Sequence, residues 1–206
     1  MGATGPPQEL VRPAGSAEDR EAAAEALALA FVDDPCLSHL VRDRATRGER
    51  LLTYFSTEIE TLVPDHREVW VSADGSAAAV WARPGRWRVP FRQTLAEAKP
   101  MASVFGRRLG LALRASLRLE RHHPSERHWY LHYLGVEPGR QGRGLGGALL
   151  APVLELCDRE RLPAYLEASS PRNAVLYERH GFSSTGEFDL PGRGGPPVRT
   201  MWREPT

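Results

Sequence analysis

The sequence predicts an α/β fold in which a mixed sheet carries helices on both faces. Three observations point there. Strand-like runs alternate with helical patterns along the chain, one hairpin signal sets two neighbouring strands antiparallel, and a glycine-rich turn joins a central strand to a long helix. At 206 residues the chain fits a single domain with a real core and is too short for a two-domain dehydrogenase.

In chain order, "ELVRPAG" reads as a short first strand. Ser16 then caps an Ala-rich helix whose Leu27, Ala30 and Phe31 share one face, ending near Asp33-Asp34-Pro35. A second helix is expected at about residues 47–62. "EVWVSADGSAAAVWARPG" places two strand-like runs around Asp74-Gly75, a strong short hairpin signal. From Phe91 to His123, leucines three or four apart among arginines predict one or two amphipathic helices, interrupted at Pro100. "HWYLHYLGV" (128–136) is the central strand, and a helix starting near Gly144 turns Leu145, Leu149, Val153 and Leu156 inward, with a kink expected at Pro152. "PAYLEA" (163–168) is a further strand, "SPRNAVLYERHG" a short helix opened by Pro171 and stopped by Gly181, and two strand-like runs finish the chain.

Composition narrows the function. A net charge of +1 supplies no general field for a polyanion, so no nucleic-acid partner is expected. Cys36 and Cys157 form no CxxC pair and lie far apart, which predicts reduced core thiols, no disulfide framework and no metal site. The first fifteen residues lack the apolar core of a leader, and no run approaches the roughly 18 apolar residues of a membrane helix, so a cytoplasmic protein without a membrane partner is expected.

The segment "RQGRGLGG" (140–147) raises the question of which phosphate it serves. A P-loop needs Lys and then Ser or Thr after Gly144, where this chain has Leu145-Gly146. A dinucleotide loop should follow its strand almost directly, yet "EPGRQ" separates Val136 from Gly142, and a hairpin with helices rather than parallel βαβ units precedes it. What remains is Gln141-Gly142-Arg143-Gly144-Leu145-Gly146, followed by Gly147. Glycines there let backbone N–H groups approach a pyrophosphate at a helix start, and Arg140 and Arg143 add local positive charge.

"YLHYLGVEPGRQGRGLGGALL" followed by "YLEASSPRNAVLYERHGF" resembles the acetyl-CoA-binding core of the GNAT superfamily of N-acetyltransferases, over about residues 128–190. With "REVWVSADGSAAAVWARPG" and "AFVDDP" upstream, the pattern is most similar to the puromycin-type members. The resemblance implies a GNAT fold, a mixed, mostly antiparallel twisted sheet with a splayed central strand pair. It also implies one domain over 1–206: acceptor-side helices and the hairpin in 1–127, the cofactor core in 128–190 and a C-terminal strand in 191–206. Acetyl-CoA would be the cosubstrate, its pantetheine arm meeting the backbone of Leu134 and Val136, its phosphates the glycine loop, with Asn173 and Tyr177 on one helix face beside it.

Acetyl transfer to an amine needs a polarised carbonyl, a neutral amine and a proton for the departing thiolate. The resemblance assigns that proton to Tyr177, whose alternative is packing against Phe182. Strand alternation puts residues 128, 130, 132 and 134 on one face, which makes His132 a candidate base, with Tyr130 beside it on the acceptor side. A buried structural histidine, with water as the base, stays an open alternative. Glu167 ends the next strand near the thioester, and Asp33, Asp34 and His39 follow the first helix where an amine acceptor would enter. Trp81, Trp87, Trp129 and Tyr54 are candidates for an aromatic wall or for core. The expected activity is N-acetylation of a small primary amine, an aminonucleoside or other amine antibiotic foremost, by direct attack in a ternary complex of a monomer or homodimer. Acetylation of a protein N-terminus or lysine, an idle acyl-CoA-binding domain, and nicotinamide-dependent redox chemistry are the competing readings.

Overall fold

The structure is a computed structural model that describes the backbone of residues 10–88 and 91–206. The expected absence of a leader falls largely on residues outside that set. The strands are β1 (Val11–Pro13), β2 (Arg67–Ser72), β3 (Ala77–Ala82), β4 (Trp129–Val136), β5 (Ala164–Ala168), β6 (Ser183–Asp189) and β7 (Pro197–Arg203). The helices are α1 (Ala17–Ala30), α2 (Pro35–Leu40), α3 (Arg47–His66), α4 (Phe91–Phe105), α5 (Leu109–His122), α6 (Leu145–Glu160) and α7 (Pro171–Glu178). Among the described residues no helix is long and apolar enough to cross a membrane.

The seven strands form one sheet in the order β1-β2-β3-β4-β5-β7-β6. β4 and β5 run parallel, and the other neighbours are antiparallel. The mixed, mostly antiparallel sheet is therefore as expected. One face buries Leu27, Leu51, Phe55, Ile59, Val71 and Val80 beneath α1 and α3, and the other buries Trp81, Trp129, Leu131, Leu149, Val153 and Met201 beneath α6.

Local signals explain most boundaries. The Ser16 hydroxyl accepts from the Asp19 amide at 3.0 Å, and the Asp19 carboxylate accepts from the Ser16 amide at 3.2 Å, so two orphan donors at the start of α1 are satisfied reciprocally. In the β2–β3 turn, Asp74 Oδ1 accepts from the hydroxyls of Ser72 and Ser76 at 2.8 and 2.7 Å, while Gly75 takes φ +74°.

Two expectations need correction. Pro100 does not interrupt the helix: α4 runs through it to Phe105, and the chain breaks instead at a short 3-10 turn, Gly106–Arg108, where Gly106 has φ +49°. A proline removes one helical hydrogen bond, which the packing of α4 on α3 offsets, whereas a positive φ redirects the chain. α2 is an added helix, capped by Asp34 with Pro35 in its first turn.

Two irregularities shape the middle of the sheet. Opposite β3, Val80 faces Tyr133 and Trp81 faces Leu131, so His132 is the extra residue of a bulge. Side-chain alternation flips there: Leu134 and Val136 pack with Trp129 and Leu131 under α6, while Tyr133 packs with α1 and α3. The expectation that Leu134 shares a face with Tyr130 and His132 is thus corrected. Second, β4 and β5 pair only from Trp129↔Ala164 to Leu131↔Leu166, after which they part.

Gly135 lets α1 lie close against β4 beyond that point. A Cβ there would stand 2.8 Å from the Ala30 Cβ and 2.9 Å from Leu27 Cδ2, both in a tightly packed core. Gly135→Ala is expected to cost about 1–3 kcal/mol of stability, read as a lowered urea midpoint. An unchanged midpoint would show that α1 is not seated there.

Candidate active site

The parting of β4 and β5 opens a fork in the sheet. From His132 to Val136 the β5 side of β4 has no strand partner among the described residues, which leaves an inner edge able to accept an extended chain as an added strand. The backbone of Leu134 and Val136, expected to meet the cofactor's arm, lies on this segment.

The glycine loop follows directly. Gln141 Nε2 donates to the Val136 carbonyl at 3.1 Å and folds the loop back on the strand end. Gly142 and Gly144 have φ of +77° and +83°, and Gly144 stands at the N-cap of α6 with no side chain to cap it. The first amides of α6 therefore face outward with the positive end of the helix dipole, as a pyrophosphate requires. Gly146 and Gly147 have a second duty. A Cβ would come 3.1 Å from Leu176 Cδ2 at Gly146 and 3.0 Å from His180 Nε2 at Gly147, so the two let α6 lie close to α7 and to the turn that follows it. Arg143 is exposed beside the loop, and Arg140 lies 3.9 Å from the Asp74 carboxylate.

α7 carries Tyr177, which packs in the same core cluster as Leu134, Val136 and Ala168. Its ring is buried edge-on against Phe182, with centroids 6.0 Å apart. Burial, and secondarily the charge of Asp34, push its phenol well above the ordinary value, so the hydroxyl keeps its proton. Asn173, one turn earlier, donates from Nδ2 to Ser169 Oγ at 3.4 Å, and Ser169 Oγ donates to Asp34 Oδ2 at 2.5 Å.

Glu167 sits on β5 one residue past the last β4 pair. Its side chain is 7% exposed, and burial raises its carboxyl to about 7 even though the hydroxyls of Tyr130 and Tyr165 favour the ionised form. Among the described residues Oε1 is buried without a hydrogen-bond partner. The His132 ring stacks on Tyr133 at 4.2 Å and lies 5.1 Å from Tyr130. Tyr130, His132, Tyr133 and Glu167 are thus gathered at or beside the root of the fork.

The two aspartates are not free carboxylates in this gathering. Asp34 Oδ1 accepts from the amides of Cys36 and Leu37 at 2.9 and 3.0 Å while Oδ2 holds Ser169, so it caps α2 and straps it to the end of β5. Asp33 is exposed, 3.7 Å from Arg44 and 3.9 Å from Arg47. His39 is buried with Nε2 3.0 Å from the Pro191 carbonyl. The aromatic set disperses as well: Trp81 and Trp129 belong to the core under α6, and the Tyr54 hydroxyl meets that of Tyr133 at 2.6 Å. Trp87 instead stacks on His123. His123, His128 and Ser169 were missed by sequence reasoning, and the cluster "RHHPSERHWY" was the signal available for the two histidines.

The acetyltransferase (GNAT) family model matches residues 64–182. An uncharacterized N-acetyltransferase of Schizosaccharomyces pombe is 31% identical over 182 residues, 81% of this chain and 71% of that protein. A mycothiol acetyltransferase of Beutenbergia cavernae is 32% identical over 144 residues, 66% of this chain and 46% of that enzyme. Among solved structures, a protein from Corynebacterium glutamicum described as histone acetyltransferase HPA2 and related acetyltransferase superposes with a TM-score of 0.73 at 27% identity, over 96% of each chain. With the forked sheet, the glycine loop at a helix start and these matches, the chain belongs to the GNAT family of acetyltransferases.

Proposed function

We propose that this acetyltransferase moves the acetyl group of acetyl-CoA to the primary amine of a small molecule, by direct attack in a ternary complex. A buried carboxyl beside the sheet fork, with the Tyr177 phenol buried in the core that also holds Leu134 and Val136, carries this reading. The loop from Gln141 to Gly147 would hold the pyrophosphate, Leu134 and Val136 the arm, and Asn173 its neighbourhood. Tyr177 would give its proton to the departing thiolate. Glu167, with a carboxyl at about 7, is matched to taking the amine's proton near neutrality. His132, beside it at the bulge, is the second candidate.

The acceptor class rests on the likeness of "GVEPGRQGRGLGGALLAPV" and "PAYLEASSPRNAVLYERHGF" to puromycin-type enzymes, which favours an aminonucleoside or another amine antibiotic. The close ring lining from Tyr130 and Tyr165 around Glu167 suits a small amine better than a peptide. Release of CoA thiol in the presence of an aminonucleoside, simple alkylamines and a lysine peptide tests this. Turnover confined to the peptide would overturn the acceptor class, and turnover with none would favour an idle binding domain.

Glu167→Gln is expected to lower kcat/KM by roughly 10²- to 10⁴-fold and to remove a rising limb centred about pH 7, because the amide cannot take up the proton. A limb that persists unchanged in this variant would transfer the role to His132.

A further inference from the structure

Behind Glu167 lies a pair of histidines that the proposed chemistry does not use. His123 Nδ1 is 3.9 Å from Glu167 Oε1, the oxygen with no hydrogen-bond partner among the described residues, and the His123 side chain is 2% exposed. That ring is clamped: it stacks on Trp87 at 3.7 Å and meets the rings of Tyr130 and Tyr165 edge-on at 4.7 and 5.0 Å. Its other nitrogen, Nε2, is 3.0 Å from His128 Nε2, and His128 Nδ1 is 2.6 Å from the Glu126 carbonyl.

These distances fix the tautomers. A carbonyl only accepts, so His128 Nδ1 carries the hydrogen, and in a neutral ring His128 Nε2 is then a lone pair. The hydrogen joining the two rings must sit on His123 Nε2, which leaves His123 Nδ1 a lone pair as well. Both rings are neutral at neutral pH: burial lowers His128, and burial, followed by the charges of His128 and Arg88, takes His123 down to about 3. A lone pair therefore faces Glu167 Oε1 across a gap about 1 Å wider than a hydrogen bond, which a small rotation of the glutamate closes once Oε1 bears a proton.

We propose that His123 and His128 are positioning residues, a tautomer-locked imidazole pair that favours the protonated form of Glu167 and so sets the pH at which Glu167 becomes a base. Opposing them are the hydroxyls of Tyr130 and Tyr165, which favour the carboxylate. Glu126 favours the charged form of His128, and Arg88 the neutral form of His123. The balance of these groups, and not burial alone, fixes the working range of Glu167. The consequence for the reaction rests on the proposed role of Glu167, but the effect on its titration does not.

Carbon-13 NMR of the glutamate carboxyls in the full chain without substrate reads that titration, with Glu167→Gln assigning the signal. His123→Phe keeps the stack on Trp87 and removes Nδ1; the Glu167 titration should fall by about one unit. His128→Leu frees the His123 tautomer and should also lower it, whereas His128→Gln offers an amide oxygen to the His123 N–H and should hold it near the wild-type value. Titration at the wild-type pH in folded His123→Phe or His128→Leu overturns the proposal, and if His123→Phe fails to fold the two His128 variants decide. A lowered titration with an unchanged pH–rate profile would keep the inference and reject Glu167 as the base. An unmoved titration beside an inactive Glu167→Gln would do the reverse.

Discussion

Gly144→Glu is expected to abolish detectable CoA binding in calorimetry. The residue caps α6 at φ +83°, and no atom lies within 4 Å of the point where a Cβ would stand, so a glutamate fits sterically but projects into the space before the first helix amides. There its carboxylate would occupy the pyrophosphate position and repel the phosphates that the dipole otherwise favours. Backbone strain is a separate effect, about 1–2 kcal/mol for a side chain in the left-handed region. Gly144→Asn separates the two, because asparagine tolerates that conformation and carries no charge. Retained binding in the Asn variant with none in the Glu variant places the phosphates at the loop. Unchanged affinity in a folded Gly144→Glu protein would mean that they bind elsewhere.

Tyr177→Phe should lower kcat by roughly ten- to ten-thousand-fold while leaving CoA affinity close to wild type. The split follows from the geometry. The ring's contact with Phe182 survives the substitution, so the pocket keeps its shape, while the hydroxyl that burial keeps protonated is lost. Stopped-flow measurement of the chemical step beside CoA titration reads both quantities. Wild-type kcat with chemistry limiting turnover would leave Tyr177 as core and assign the thiolate's proton to another group.

The legible parts of this chain are those where local chemistry and tertiary structure agree. Ser16 announces a helix cap, Asp74-Gly75 a hairpin, and the glycines before Leu145 a helix start bare of side chains; all three stand where expected. α2 escaped because Asp34-Pro35, a sound cap and first turn, also reads as a simple stop after α1. The same ambiguity made Asp34 look like an acceptor carboxylate, when its oxygens are held by the Cys36 and Leu37 amides and Ser169. The bulge at His132 leaves no mark in an alternating pattern, since only the register against β3 reveals the added residue. The His123–His128 pair depends on β5 and the Trp87 loop arriving from distant parts of the chain, which composition and spacing do not encode.

Initial-velocity kinetics of CoA release, with acetyl-CoA and an accepted amine both varied and the product identified by mass spectrometry, tests direct transfer at the fork most squarely. Direct transfer predicts intersecting lines and an acetyl group on the amine nitrogen, because thioester and acceptor must occupy the space between β4 and β5 together. Parallel lines, or CoA release without acetylated amine, would contradict it.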